Sequence, residues 1–304
     1  MPEKIGVQLG MGWFPDFPDF RDYTQEHNVV GTRARRLEQK SIKEMVSRVG
    51  LLKAPARDLP ASQDLRQWCS PIENQQWLGS CTANAGVGLI EYYERRASGR
   101  YVDASRLFLY KTTRNLLHWA GDTGAFLRTT MEAMALFGIP PEEYWPYHID
   151  EFENEPPAFC YAFAQNYQAL QYFRLDPPNT ARDVLLKRIK TYLVAGLPVM
   201  FGFSVFSSIE QAAVDGKIPF PNEGDRSIGG HAVAAVGFDD KMKIFHSGSS
   251  KETIGALLIR NSWGTGWGDQ GYGWLPYEFI LQGLAIDWWT LLKNEWIDTG
   301  HFQL

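Results

Sequence analysis

Apolar residues recur at helical spacing through the first half of the chain and in short runs or alternation through the second. Residues 82–97 predict a helix that ends at Gly99, a residue suited to the left-handed turn after a helix. Residues 104–118 and 125–137 predict two more, the second closed by Gly138 and Pro140. Within 33–49, Leu37, Ile42, Met45, Val46 and Val49 lie among charges, a short amphipathic helix with weakly patterned first turns. Its cluster Arg33, Arg35 and Arg36 reads as a solvated face. The segments 197–206, 232–238, 255–260 and 271–275 are apolar or alternating and bounded by Gly and Pro, and predict strands. Pro-Pro pairs at 140–141, 156–157 and 177–178 mark loops. Helices first and strands later predict an α+β protein of two lobes, helical over about 70–165 and β-rich over about 166–290.

The first 30 residues break this pattern. Trp13, Phe14, Pro15, Asp16, Phe17, Pro18, Asp19 and Phe20 alternate aromatics with prolines and acids, which favours an extended strap over a helix. Its aromatic rings must pack on something to leave water. A turn-rich stretch from Ala54 to Pro60 separates it from the body, so we divide the chain into a segment 1–57 and a domain 58–304.

The 304 residues are 44% hydrophobic and 14% aromatic, a globular composition. The net charge of −5 argues against a nucleic-acid partner. No apolar run has the ~18 residues of a membrane span. The start, MPEKIGVQLG, lacks the basic and apolar regions of a secretory signal, which suggests a cytoplasmic or non-classically exported protein. There is no His-Glu-x-x-His, no phosphate-binding Gly-x-x-x-x-Gly-Lys and no Cys-x-x-Cys, so no metal or cofactor is expected. Gly264-Thr265-Gly266-Trp267-Gly268 reads as a turn.

Chemistry concentrates in three segments. In Gln75-Gln76-Trp77-Leu78-Gly79-Ser80-Cys81-Thr82-Ala83-Asn84-Ala85 a cysteine stands where a Gly-Ser turn enters a helix. Free N–H groups and the positive end of the helix dipole there stabilise a thiolate. Alone, such a cysteine is more often an inert core thiol. In Gly229-Gly230-His231-Ala232-Val233-Ala234-Ala235-Val236-Gly237 a histidine heads an apolar strand. In Leu258-Ile259-Arg260-Asn261-Ser262-Trp263-Gly264-Thr265-Gly266-Trp267-Gly268 an asparagine follows a strand and precedes two tryptophans. Spacings of 150 residues from Cys81 to His231 and 30 from His231 to Asn261 keep the order Cys, His, Asn.

With these segments, with Asp64-Leu65-Arg66, and with Tyr144-Trp145-Pro146-Tyr147 after Gly138-Ile139, the sequence resembles the papain family of cysteine peptidases over roughly residues 58–290. The resemblance implies a two-lobed fold, with a helical lobe, an antiparallel β-barrel-like lobe and the active site between them. It implies Cys81 as nucleophile, His231 as its proton partner and Asn261 as the orienter of the imidazole. Gln75, with the Cys81 N–H, would hold the oxyanion. Trp263 would shield the Asn261–His231 bond, and Trp267 would line the leaving-group side. Gly124 would bond an extended peptide. Ala125, Gly202 and Ala232 would line the pocket for the side chain two residues before the scissile bond. The implied partner is a peptide or protein substrate. The implied function is peptide-bond hydrolysis; an acyl transferase or amidase with the same triad, or a non-catalytic peptide-binding relic, are the alternatives.

Three positions depart from the family. Leu78 stands where a disulfide cysteine is usual and Thr82 where an aromatic is usual, and Trp77 enters a loop that is normally smaller. Counting leaves Cys69 and Cys160 to pair with each other or to remain thiols, with Cys81 free. The family commonly carries an inhibitory prosegment. The segment 1–57 is therefore expected either to cover the cleft or to strap the outside of the body.

Overall fold

A computed structural model describes residues 9–36, 38–52, 58–167, 171–249, 251–302 and 304. The expected boundary at residue 57, the first eight residues of the strap, Leu37 and the side chain of Arg33 lie outside the described residues.

The strap is extended, as its prolines require, and contributes the short strand β1 (Trp13–Phe14). The helix expected over 33–49 is two short pieces, α1 (Thr32–Arg36) and α2 (Ile42–Arg48). The physical reason is Ser41, whose side chain accepts the Glu44 N–H while Glu44 reaches back to Ser41, a capping box that starts a new helix. The strand β2 (Ser62–Asp64) then opens the body.

The helical lobe follows the predicted spacing. It comprises α3 (Cys81–Ser98), α4 (Arg106–Leu117), the short strand β3 (Ala125–Phe126), α5 (Leu127–Phe137) and α6 (Ala158–Ala164). Gly99 ends α3 at φ 70°, where a side chain would be strained.

The second lobe is an antiparallel sheet. Its strands are β4 (Gln171–Arg174), β5 (Val199–Phe206), β6 (Ser227–Phe245), β7 (Glu252–Arg260), β8 (Tyr272–Pro276) and β9 (Ala285–Leu292). They run in the order β4-β9-β5-β6-β7-β8, with β2 pairing on β6. Three helices complete the chain: α7 (Arg182–Val194), α8 (Glu278–Leu281) and α9 (Asn294–Asp298). Ala232–Phe238 of β6 is buried throughout, with α3 and α7 packed against the strand, hence its unbroken apolar run.

The α+β, two-lobed expectation holds, with the sheet left open: its end strands β4 and β8 are not bonded to each other, and at four and five residues they offer short edges for closure. One expectation is corrected. Cys69 and Cys160 are not bridged, and both are buried free thiols. Cys69 belongs to the main core, whereas Cys160 packs with Phe108 and Ala164 in a separate small cluster. Their sulfurs face the Leu65 and Tyr144 carbonyls, at 3.8 and 3.5 Å.

The core lies between the sheet and α3. Phe201 of β5 stacks on Trp288 of β9 at 3.9 Å between ring centres, and Trp296 of α9 stacks on Tyr93 of α3 at 4.8 Å. Leu258, fully buried on the strand that leads to Asn261, tests this packing. Leu258→Ala should lower the unfolding free energy by ~2–5 kcal/mol, measured by denaturant titration.

Candidate active site

The loop before α3 is fixed at both ends. Gln75 N–H donates to the Ser262 carbonyl at 2.8 Å, and Ser262 Oγ donates to Gln75 Oε1 at 2.5 Å. Gln75 Nε2 donates to the Leu78 carbonyl at 2.9 Å. Tyr147, from the aromatic segment 144–147, bonds Ser80 Oγ at 2.6 Å and the Gln75 carbonyl at 3.1 Å. These bonds join the two lobes and deliver Cys81, fully buried, at the first turn of α3. Trp77 turns away onto Phe152, edge to face, and is 44% exposed.

His231 is placed by sheet register, opposite Phe203 of β5. Its Nε2 lies 2.8 Å from Asn261 Oδ1. That oxygen also accepts the Ser262 N–H at 2.8 Å, so it is an acceptor and the imidazole proton sits on Nε2. Nδ1 is buried with no hydrogen-bond partner. Trp263 stacks on the imidazole at 4.4 Å, and Trp267 meets Trp263 edge-on at 5.2 Å. Burial pushes the Cys81 thiol up to about 12, against the pull of the Ala232, Thr82 and Cys81 N–H groups. Burial also lowers His231 to about 4, partly offset by its bond to Asn261. Both groups are neutral at pH 7 in this state.

The strap lies over this site. Trp263 Nε1 donates to the Gly10 carbonyl at 3.0 Å, and Gly10 N–H donates to the Gln76 carbonyl at 3.1 Å. Gly12 N–H donates to the Gly230 carbonyl at 3.2 Å and its carbonyl accepts the Ala125 N–H at 2.7 Å. A Cβ on Gly12 would stand 2.0 Å from the Gly79 carbonyl oxygen, so only glycine passes there. β1 runs parallel to β3, with Trp13 opposite Ala125.

Trp13 fills a pocket beside Gly202 and Gly230. A Cβ on Gly202 would meet the indole at 1.8 Å, so that glycine is the space Trp13 occupies. Of the expected pocket residues, Ala125 and Gly202 meet the strap directly, and Gly124 lies against Gly12. Ala232 is buried beside Cys81, and Trp267 lies behind Trp263. Only Trp13 of the strap aromatics is buried; Phe17 and Phe20 are 75% and 92% exposed, against the expectation that all would pack away. The ion pairs explain this difference, because polar contacts and not rings pin residues 16–22. Arg128 bonds Asp16 and donates to Asp22 Oδ1 at 2.8 Å and the Phe17 carbonyl at 2.9 Å.

Sequence reasoning missed two groups. Asp122 accepts the Gly79 N–H at 2.9 Å and the Tyr110 hydroxyl at 2.6 Å, and Tyr110 in turn accepts the Gly124 N–H at 3.0 Å. One carboxylate thus holds both loops of the helical wall. Asp287, at the floor of the Trp13 pocket, accepts the indole N–H on Oδ2 at 3.1 Å. Burial pushes Asp287 up to about 7 against the opposing pull of Arg174. An acid inside the apolar run Ala285–Leu292 was the available signal for it.

The sequence profile described as papain family cysteine protease matches residues 59–279. The chain therefore belongs to that family. It is 34% identical over 240 residues to an uncharacterised peptidase C1-like protein of Acanthamoeba polyphaga mimivirus, covering 77% of this chain and 73% of that one. It is 28% identical over 239 residues to Peptidase 1 of Psoroptes ovis, across 75% of this chain and 64% of that one. Among solved structures, Xylellain, a cysteine protease from Xylella fastidiosa, aligns with a TM-score of 0.70 at 30% identity, over 94% of this chain and 97% of that one. A Carica candamarcensis cysteine protease in complex with E-64 aligns with a TM-score of 0.54 at 25% identity, over 78% of this chain and 100% of that one.

The depressed His231 value sets a sign for stability. Between about 4 and the ordinary value of 6.5, the unfolded chain binds the proton and the folded chain does not. Stability from this group is full above 6.5 and is lost as pH falls through about 4. Measured by denaturation across that window, His231→Gln should remove this component, so the wild type should lose more stability on acidification than the variant.

Proposed function

We propose that the protein hydrolyses peptide bonds through a Cys81 thioester intermediate and that its N-terminal strap restrains this activity. The observation that carries the reading is the His231–Asn261 bond, which occupies Nε2 and leaves Nδ1 unpartnered as the proton acceptor. Cys81 passes its proton to Nδ1, and the thiolate attacks the carbonyl carbon. The Cys81 N–H and Gln75 Nε2 stabilise the oxyanion. His231 returns the proton to the leaving amine, and water then hydrolyses the thioester with His231 as base. Asn261 acts by orienting the imidazole.

The strap supports the second half of the reading. It lies where an extended peptide would lie, and burial there favours the neutral thiol and imidazole over the reactive ion pair. Burying the Trp13 indole, at ~150–250 Å² and ~25 cal/mol per Å², is worth at most about 4–6 kcal/mol toward holding it.

An epoxide of the E-64 type should add one equivalent of mass at Cys81, and Cys81→Ala should lose both the label and turnover of peptide substrates. An alanine variant with wild-type turnover removes Cys81 from the mechanism. Gln75→Ala should lower kcat by ~10²–10³-fold if its amide serves the oxyanion. Trp13→Ala should raise the turnover of small peptides; unchanged turnover would make the strap a structural brace only.

A further inference from the structure

Asp287 stands in β9 with φ 67°, in the left-handed region that a side-chain-bearing residue rarely adopts. The β5–β9 register shifts between Met200 and Gly202, beside it. The carboxylate reaches the pocket floor from this irregularity. Two donors bond it, Trp289 Nε1 at 2.6 Å on Oδ1 and the Trp13 indole at 3.1 Å on Oδ2, while Arg174 Nη1 stands 3.1 Å from Oδ1 as an ion-pair partner and the Asp176 carboxylate acts on it as a like charge. Arg174 is itself fully buried and also bonds Asp176 at 2.9 Å. Asp287 thus shares the Arg174 guanidinium with Asp176, and its Oδ2 is left to face the pocket.

From this we infer that Asp287 is a specificity-determining residue, selecting a neutral aromatic side chain with an N–H donor, an indole above all, two residues before the scissile bond. The inference rests on the peptidase reading for the word scissile, but the pocket's choice of side chain does not depend on turnover. An indole satisfies the free oxygen, as Trp13 does. A phenyl ring fills the apolar walls and leaves that oxygen buried and unpaired. A guanidinium or ammonium group would give up its water among the apolar walls and meet the like charge of Arg174, 3.1 Å behind the carboxylate. The strap thus holds the pocket with the side chain the pocket is built to take.

Four peptides differing only at this position, carrying Trp, N1-methyl-Trp, Phe or Arg, test the choice on the full chain. The Trp peptide should exceed each of the others in kcat/KM by about tenfold or more, as expected where a site's buried acceptor loses its donor. Asp287→Asn should abolish this preference. The single oxygen of Asn is claimed by the Trp289 and Arg174 donors, so its NH2 faces the indole N–H. A second measurement needs no catalysis: the rate at which iodoacetamide alkylates Cys81, located by peptide mass. Trp13→Phe removes the donor together with part of the ring. It should speed alkylation several-fold in the wild-type background and clearly less in Asp287→Asn, the difference being the share of the N–H bond. If Asp287→Asn fails to fold, the peptide series and Trp13→Phe on the wild-type chain still decide. Equal turnover of the Trp and N1-methyl-Trp peptides, or equal alkylation of wild type and Trp13→Phe, overturns the assignment. No cleavage of any peptide, together with faster alkylation of Trp13→Phe, overturns the peptidase reading and leaves the pocket assignment standing.

Discussion

A guanidinium with no exposure has to be neutralised where it stands, and Arg174 ties together more of this molecule than any apolar contact. Its partners are Asp176 at 2.9 Å, Asp287 at 3.1 Å and Asp22 at 3.6 Å. Asp176 in turn accepts the N–H groups of Asp287 and Trp288, each at 3.0 Å, which sets the path of β9. Arg174 Nη2 also donates to the Asp16 carbonyl at 2.8 Å. Sheet, pocket floor and strap therefore share one buried charge. Removing a single partner would strand that charge, at a cost far above that of an exposed ion pair.

The cleft is organised around a few polar groups that reach across it. Tyr147 and Ser262 grip the Gln75–Cys81 loop from opposite lobes, and Asp122 with Tyr110 sets the loops at Gly79 and Gly124. The Ser262–Gln75 and Tyr110–Gly124 bonds are buried, which strengthens them and penalises any gap in the network. His231 needs less, because antiparallel pairing with Phe203 of β5 places its backbone and Trp263 stacks on its ring.

Burial acts on the Cys81 thiol and the His231 imidazole alike. Desolvation disfavours both charged forms, raising the one and lowering the other. The polar anchors at Arg128 are partly exposed, whereas the Trp13 indole is buried.

Local pattern alone was enough for the helices α3, α4 and α5 and for strands β5 to β8, since their burial is periodic or continuous. The order of Cys81, His231 and Asn261 along the chain was legible too, because each sits at the end of a recognisable element, and the fold sets His231 Nε2 2.8 Å from Asn261 Oδ1. The amphipathic α7 carried a readable signal in Leu185, Ile189, Tyr192 and Leu193, whereas Asp287 and two tryptophans obscured β9 as a strand. Tertiary structure alone decided the open sheet and the unpaired cysteines, because sheet closure and Cys–Cys distance depend on packing between segments far apart in sequence. It also decided which strap ring is buried: Trp13 and Phe20 look alike in the chain, but only Trp13 meets a gap left by Gly202 and an acceptor on Asp287. That acceptor faces the gap through a left-handed residue in an antiparallel strand, a conformation imposed by neighbours on other segments and invisible to local propensity.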